Sequence, residues 1–148
     1  MIIDSHCHLD YEPMFSNLDS VIKRAKDSKV EYMLTISVTD KKYDTILDIT
    51  KKFQNVYGTY GIHPHEAKNN KNIDKKTILK RIKISNKIIG IGETGLDFYY
   101  NHSNKKSQIS SFEKHIEISQ ETGLPLIIHM RDAEDEIFRL VNNYYKKK

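Results

Sequence analysis

Ile2-Ile3-Asp4-Ser5-His6-Cys7-His8-Leu9-Asp10 stands near the start of the chain, where apolar β-formers pass directly into two histidines spaced i, i+2. Successive side chains of a strand point to opposite faces, so His6 and His8 share one face while Cys7 points the other way. Two imidazoles on one face at a strand's end can grip one ion. The reading of the whole chain then turns on whether other apolar runs also end in ligand-type residues.

They do. Val56-Tyr57-Gly58-Thr59-Tyr60 predicts a strand that runs into Gly61-Ile62-His63-Pro64-His65. Lys87 to Ile91 predicts another, leading into Gly92-Glu93-Thr94-Gly95-Leu96-Asp97. Pro125 precedes a further strand, Leu126-Ile127-Ile128-His129, with Arg131 just beyond. A fifth apolar run, Tyr32 to Val38, ends less informatively in Thr39-Asp40.

Helical periodicity fills the gaps between these runs. Val21, Ile22 and Ala25 predict a helix over about Leu18 to Ser28, capped by Ser16 or Asn17. Asp40 is placed to cap a helix with Tyr43, Ile46, Leu47, Ile49 and Phe53 on its buried side. Further helices are predicted from about Asp74 to Ile84, from Gln108 to Thr122, and after Asp132. Strands alternating with helices argue for a parallel α/β sheet, and near-continuous apolar strands argue that both faces are covered. The histidines and Glu93 all fall at the C-terminal ends of strands, the edge that forms the active-site rim of a (β/α)8 barrel. Three strand-end imidazole groups and one carboxylate make an N/O ligand set for one or two divalent ions, with zinc, manganese and magnesium all open.

Composition sets the outer limits. The 148 residues are 38% hydrophobic and 30% charged, as in an ordinary globular domain, here read as one domain over 1–148. No apolar run approaches the ~20 residues of a membrane span, and no secretory signal is read at the N-terminus. The single cysteine, Cys7, excludes an internal disulfide and suits a cytoplasmic location. The net charge of +4 permits a polyanionic partner. Nearly all of that positive charge is lysine, a codon effect of an AT-rich genome as much as a binding signal.

Gly90-Ile91-Gly92-Glu93-Thr94-Gly95 matches the dinucleotide fingerprint G-x-G-x-x-G literally. That fingerprint needs a helix opening on its last glycines, whereas Leu96-Asp97-Phe98-Tyr99-Tyr100 and a polar loop follow here. The glycines are read instead as letting the backbone pass close to a metal site.

His6-x-His8, Gly61-Ile62-His63-Pro64-His65, Gly90 to Phe98 and Ile128-His129-x-Arg131-Asp132-Ala133 together resemble the TatD family of metal-dependent deoxyribonucleases. The motifs stand in the family's order, and the resemblance covers the whole chain. It implies a (β/α)8 barrel and a hydrolase that cleaves DNA phosphodiester bonds through a water activated by divalent metal. By resemblance His6 and His8 hold a first ion, Glu93 bridges two, and His129 holds the second. Glu93 is thereby the central catalytic residue. His63 is a general acid, a phosphate contact, or a histidine bonded to its own loop; Arg131 is a phosphate ligand. His65 is read as structural. Asp97 either orients a ligand or caps a loop, and Phe98, Tyr99 and Tyr100 either stack on bases or pack over the rim. His102 and His115 are assigned no function. DNA is the implied partner, with RNA or a tRNA ester as alternatives, since relatives in the wider group remove D-amino acids from tRNA.

The strand count falls short of the resemblance. Five βα units are read where a closed barrel needs eight in ~250 residues. The family pattern expects a further histidine after the next strand and an aspartate near the last. The chain is therefore expected to be a partial barrel, the N-terminal portion of a family member. An inactive truncated fragment, with the Lys146-Lys147-Lys148 run marking a slippage-prone tract, is the alternative.

Overall fold

The computed structural model describes residues 1–100 and 102–145. Asn101, in the predicted polar loop, and the run Lys146-Lys147-Lys148 lie outside them. The elements in order are β1 (Ile2–Cys7), α1 (Leu18–Asp27), β2 (Val30–Thr35), α2 (Tyr43–Lys52), β3 (Val56–Tyr60), α3 (Lys75–Ile82), β4 (Ile88–Asp97), α4 (Lys105–Thr122), β5 (Leu126–Arg131) and α5 (Glu134–Tyr145). The strands form one sheet in the order β1-β2-β3-β4-β5, every pair parallel. A doubly wound sheet reverses its strand order at a switch point; sequential order without reversal is the arrangement of a barrel segment.

The helices are held to the sheet by three apolar clusters. Met33 and Val56 pack with Ile49 and, around them, Val21, Ile22 and Ala25 of α1. Tyr43, Ile46, Ile78 and Ile118 close over Tyr60, Ile88 and Ile91. Leu96 meets Phe112 and Ile116 of α4 with Ile137 and Leu140 of α5. Burial of the strands is incomplete, against the expectation of two covered faces. Ile2 and Ile3 on β1, Tyr32 and Ile89 within the sheet, and Ile128 and Met130 on β5 are exposed.

Several boundaries move for identifiable reasons. The predicted second strand, Tyr32 to Val38, runs instead from Val30 to Thr35, and the residues beyond it feed the rim. Asp40 opens a short 3-10 turn rather than capping α2, because its carboxylate is engaged by the Tyr60 hydroxyl and the Arg81 guanidinium. Asn17 precedes α1 without capping it, its amide donating back to the Pro13 carbonyl. Asp74 does cap α3, accepting from the Thr77 amide at 2.7 Å. Asn104 caps α4, which starts three residues before the predicted Gln108. The C-terminal end of α2 is closed by a residue from another element. Lys87 Nζ donates to the carbonyls of Thr50, Phe53, Gln54 and Val56, a cation set against the negative pole of the helix.

The largest difference lies in β4, predicted to end at Ile91 but continuing to Asp97. Its pairing with β5 runs Ile91↔Leu126 and then Thr94↔Ile128, so one extra residue is inserted at Gly92-Glu93. A bulge of this kind re-aims a side chain, and here that side chain is Glu93. Gly92 and Gly95 have φ of +147° and +142°, and a Cβ at either would strike the Ile127 or the His129 carbonyl oxygen at 2.4 or 2.0 Å. Only glycine permits both the backbone angle and the approach. The glycine run thus serves close packing of β4 on β5, and no helix opens on it.

Candidate metal centre

The C-terminal ends of β1, β3, β4 and β5 converge on Glu93, whose side chain is only 12% exposed. The backbone beneath it is pinned from β3 and from the segment that follows β2. The Glu93 amide donates to the Ser37 carbonyl at 2.8 Å, the Ser37 amide donates to Thr59 Oγ1 at 3.1 Å, and Thr59 Oγ1 donates to the Gly92 carbonyl.

Two groups of donor atoms share this carboxylate. His6, His8 and Glu93 form one; His63, Glu93 and His129 form the other; within each group the atoms lie within 4.8 Å of one another. In the first, Oε2 of Glu93 is 3.5 Å from His6 Nε2 and 4.0 Å from His8 Nε2. In the second, Oε1 of Glu93 is 3.2 Å from His129 Nδ1, which is itself 3.1 Å from His63 Nε2.

Hydrogen bonds behind the rings set the tautomers. His8 Nδ1 faces the Ile36 carbonyl at 3.1 Å, an acceptor only, so it carries the proton and Nε2 presents a lone pair to Glu93's cluster. His129 Nε2 faces Asp97 Oδ2 at 3.0 Å, so in the neutral ring Nε2 carries the proton and Nδ1 the lone pair. His63 is set the other way. Its Nδ1 accepts from the His65 amide at 3.2 Å, which puts the proton of the neutral ring on Nε2.

His129 Nδ1 lies 3.1 Å from the Nε2–H of His63 and 3.2 Å from Glu93 Oε1, so in the neutral ring it accepts from His63, and its contact with the carboxylate calls for a proton or a cation. The electrostatics express the same demand. The hydrogen bond to Glu93 holds the His129 pKa above the usual imidazole range. Burial works against ionisation of Glu93, but the His129 hydrogen bond and the nearby imidazoles of His63 and His6 outweigh it and hold the carboxyl low. Burial, with His129 alongside, pushes His63 down to about 4, so it is neutral.

Asp97 is the centre of the surrounding support. Burial would raise its pKa, yet its hydrogen bonds bring it down to about 2: Oδ1 accepts from the Tyr100 amide at 2.9 Å, and Oδ2 accepts from both His65 Nε2 and His129 Nε2. It thus orients a ring and caps a loop at once, the two roles the sequence left open. Gln108 pins the Asp97 backbone, accepting from its amide at 2.8 Å and donating to its carbonyl at 2.9 Å. Ser103 Oγ donates to the His65 carbonyl. Sequence reasoning missed Thr59, Gln108 and Ser103. The available signal was a polar residue placed on the buried side of an element, as Gln108 is on α4.

The predicted residues are thus brought together with one exception. His8, His63, His65 and Glu93 line a cleft of about 440 Å³, and His6 and His129 join them in the two donor groups around Glu93. Arg131 does not reach it; its guanidinium lies against Tyr99 and Tyr100. His102, expected to be idle, sits 4.6 Å from the His65 ring centroid. His115 is fully buried in α4, stacked on Tyr60, with Nδ1 donating to the Ser111 carbonyl.

Residues 3–148 match the family model described as TatD related DNase. The chain belongs to this family. A relative from Buchnera aphidicola (subsp. Baizongia pistaciae), an uncharacterized metal-dependent hydrolase, is 38% identical over 99% of the chain and 56% of its own length. The 3'-5' ssDNA/RNA exonuclease TatD of Erwinia billingiae is 32% identical over 83% of the chain and 47% of its own length. The crystal structure of YjjV, a TatD homolog from Escherichia coli K12, superposes with a TM-score of 0.85 at 21% identity, over 92% of this chain and 53% of that one. The chain thus spans about half the length of the TatD relatives it matches, and its five parallel strands form a half-barrel matching part of the TatD barrel. Among the described residues no helix is long and apolar enough to cross a membrane.

Proposed function

We propose that the protein is a metal-dependent phosphodiesterase acting on DNA, with two divalent ions held around Glu93. One observation carries this reading: two donor clusters share a single carboxylate, and the rings of His8 and His129 are each held from the far side by a hydrogen bond that turns the other ring nitrogen toward it. Neutral imidazoles with one carboxylate suit zinc, manganese or magnesium, and they leave most of the ions' charge uncancelled. His6 and His8 would hold one ion, His129 the other, and Glu93 would bridge them. Bound there, such ions supply an acidified water and positive charge opposite the phosphoryl oxygens.

The remaining work falls to the chain's own groups. His63, with its proton on Nε2, is suited to donate to a phosphoryl or leaving oxygen rather than to ligate a metal. Asp97 keeps His129 Nδ1 turned inward and His65 in place. The likeness to the Erwinia ssDNA/RNA exonuclease supports a nucleic-acid substrate. A reducing cytoplasm suits Cys7, which burial and the nearby Asp4 and Asp10 push up to about 12, keeping it an unreactive thiol.

The test is cleavage of single-stranded DNA, duplex DNA, RNA, D-aminoacyl-tRNA and a small phosphodiester, assayed side by side with manganese, magnesium or zinc and with chelator. DNA cleavage that needs metal and falls at least about 1000-fold in Glu93→Gln is expected. Activity untouched by Glu93→Gln refutes the assignment; turnover of the aminoacyl ester alone moves the substrate from phosphodiester to carboxylic ester.

A further inference from the structure

We infer that Tyr99, Tyr100 and Arg131 form a stacking platform for a nucleobase of a single-stranded nucleic acid beside the metal-binding cleft. The inference rests on the phosphodiesterase reading above and names the form of its substrate.

The three aromatics after Asp97 do not behave alike. Phe98 packs against the apolar cluster of Leu96 and Phe112, with Lys105 over its ring at 4.2 Å. Tyr99 is 61% exposed, and Tyr100, 41% exposed, packs on the rim against the rings of His65 and His102. Their rings stand perpendicular with centroids 4.8 Å apart, and the Arg131 guanidinium carbon lies 5.6 and 5.2 Å from their centroids. Among the described residues no carboxylate or hydrogen-bond acceptor pairs with that guanidinium. Its N–H donors are free for a phosphate while its face rests on the rings.

The platform is also tied to the metal centre. The Tyr100 amide is held by Asp97 Oδ1, and the other oxygen of the same carboxylate orients His129. The His65 ring lines the cleft and meets the Tyr100 ring edge-on at 5.7 Å, which sets the tyrosines beside the cleft. The His102 ring stacks on Tyr100 at 5.7 Å, so the open ring surface is chiefly that of Tyr99, and an open ring beside an unpaired guanidinium matches a base and its neighbouring phosphate along a single strand. A duplex keeps its base faces stacked inside and offers none to these rings.

The chain contains no tryptophan, so Tyr99→Trp introduces a unique indole reporter at an exposed position. The probes are oligothymidylate of ten residues and an abasic strand of equal length and charge, titrated in chelator so that no cleavage occurs. Oligothymidylate is expected to bind about 10- to 100-fold more tightly than the abasic strand and to quench the indole, which the abasic strand leaves unquenched. Tyr99→Ala and Tyr100→Ala should each weaken oligothymidylate binding and leave abasic binding unchanged, while Tyr100→Phe retains the preference. Equal affinity for the two probes, or equal weakening of both in the alanine variants, overturns the platform. A second arm with manganese separates the two readings. Both strands cut alike with no base preference removes the platform alone. Base-selective binding with neither strand cut removes the phosphodiesterase and leaves the platform standing.

Discussion

The two donor clusters share a carboxylate and little else. The His6–His8 cluster is open: its histidine side chains are 43% and 33% exposed, its distances to Glu93 are 3.5 and 4.0 Å, and both rings come from the end of an edge strand. The His63–His129 cluster is tight, with contacts of 3.1 and 3.2 Å, and a second layer of Asp97 and Gln108 stands behind it. β1 and β5 are both paired on one side only, so the contrast comes from what stands behind each ring: the Asp97 carboxylate of β4 behind His129, and a single carbonyl, that of Ile36, behind His8. The difference teaches that ligand identity and ligand rigidity are separate properties, supplied by different parts of the chain.

That contrast can be broken at either end. The largest effect is expected from His6→Gln combined with His8→Gln, which should remove one ion outright, dropping the stoichiometry in calorimetric titration from two metals to one while the tighter site keeps its affinity. Asp97→Asn should do the converse more mildly. Loss of the carboxylate behind His129 is expected to weaken one of the two binding steps by about 10- to 100-fold and to leave the other intact. A uniform loss in both steps would mean that the clusters are not separable.

Two changes away from the rim sharpen the comparison by acting on stability alone. Lys87→Met strips the cation from four carbonyls and should cost about 2 kcal/mol in urea unfolding, with metal affinities unchanged. His115 supplies a smaller, pH-dependent effect. Burial pushes its imidazole down to about 4, with Lys114 adding to the shift against the Ser111 carbonyl. An unfolded histidine titrates near about 6.5, so between that pH and about 4 the unfolded chain binds a proton that the folded chain lacks. Stability from this source falls as pH falls through that window. His115→Gln should flatten that part of the pH dependence of the urea midpoint.

Much of the centre was legible because each ligand follows an apolar run: His6 and His8 after Ile2-Ile3, Glu93 after Ile88 to Ile91, His129 after Leu126 to Ile128. Strand ends of a parallel sheet lie on one edge whatever the side-chain details, so the position of these residues along the chain already implied a common rim. The partners behind them were illegible for the opposite reason. Thr59, Gln108 and Ser103 act through hydrogen bonds to backbone in other segments, and a polar residue on the buried side of an element, as Gln108 is on α4, marks burial without naming its partner.

Periodicity and spacing by themselves determined the strand–helix alternation, the parallel sheet and the set of histidines and carboxylate at its edge, because those depend on local patterns of period 2 and 3.6. Folding in three dimensions was needed to settle that β4 bulges at Gly92-Glu93, that His129 turns Nδ1 inward, that His63 keeps its proton on Nε2, and that Arg131 lies on tyrosines instead of in the cleft. Each of these follows from a hydrogen bond or a ring contact between distant segments, and such contacts exist only once the segments have been brought side by side.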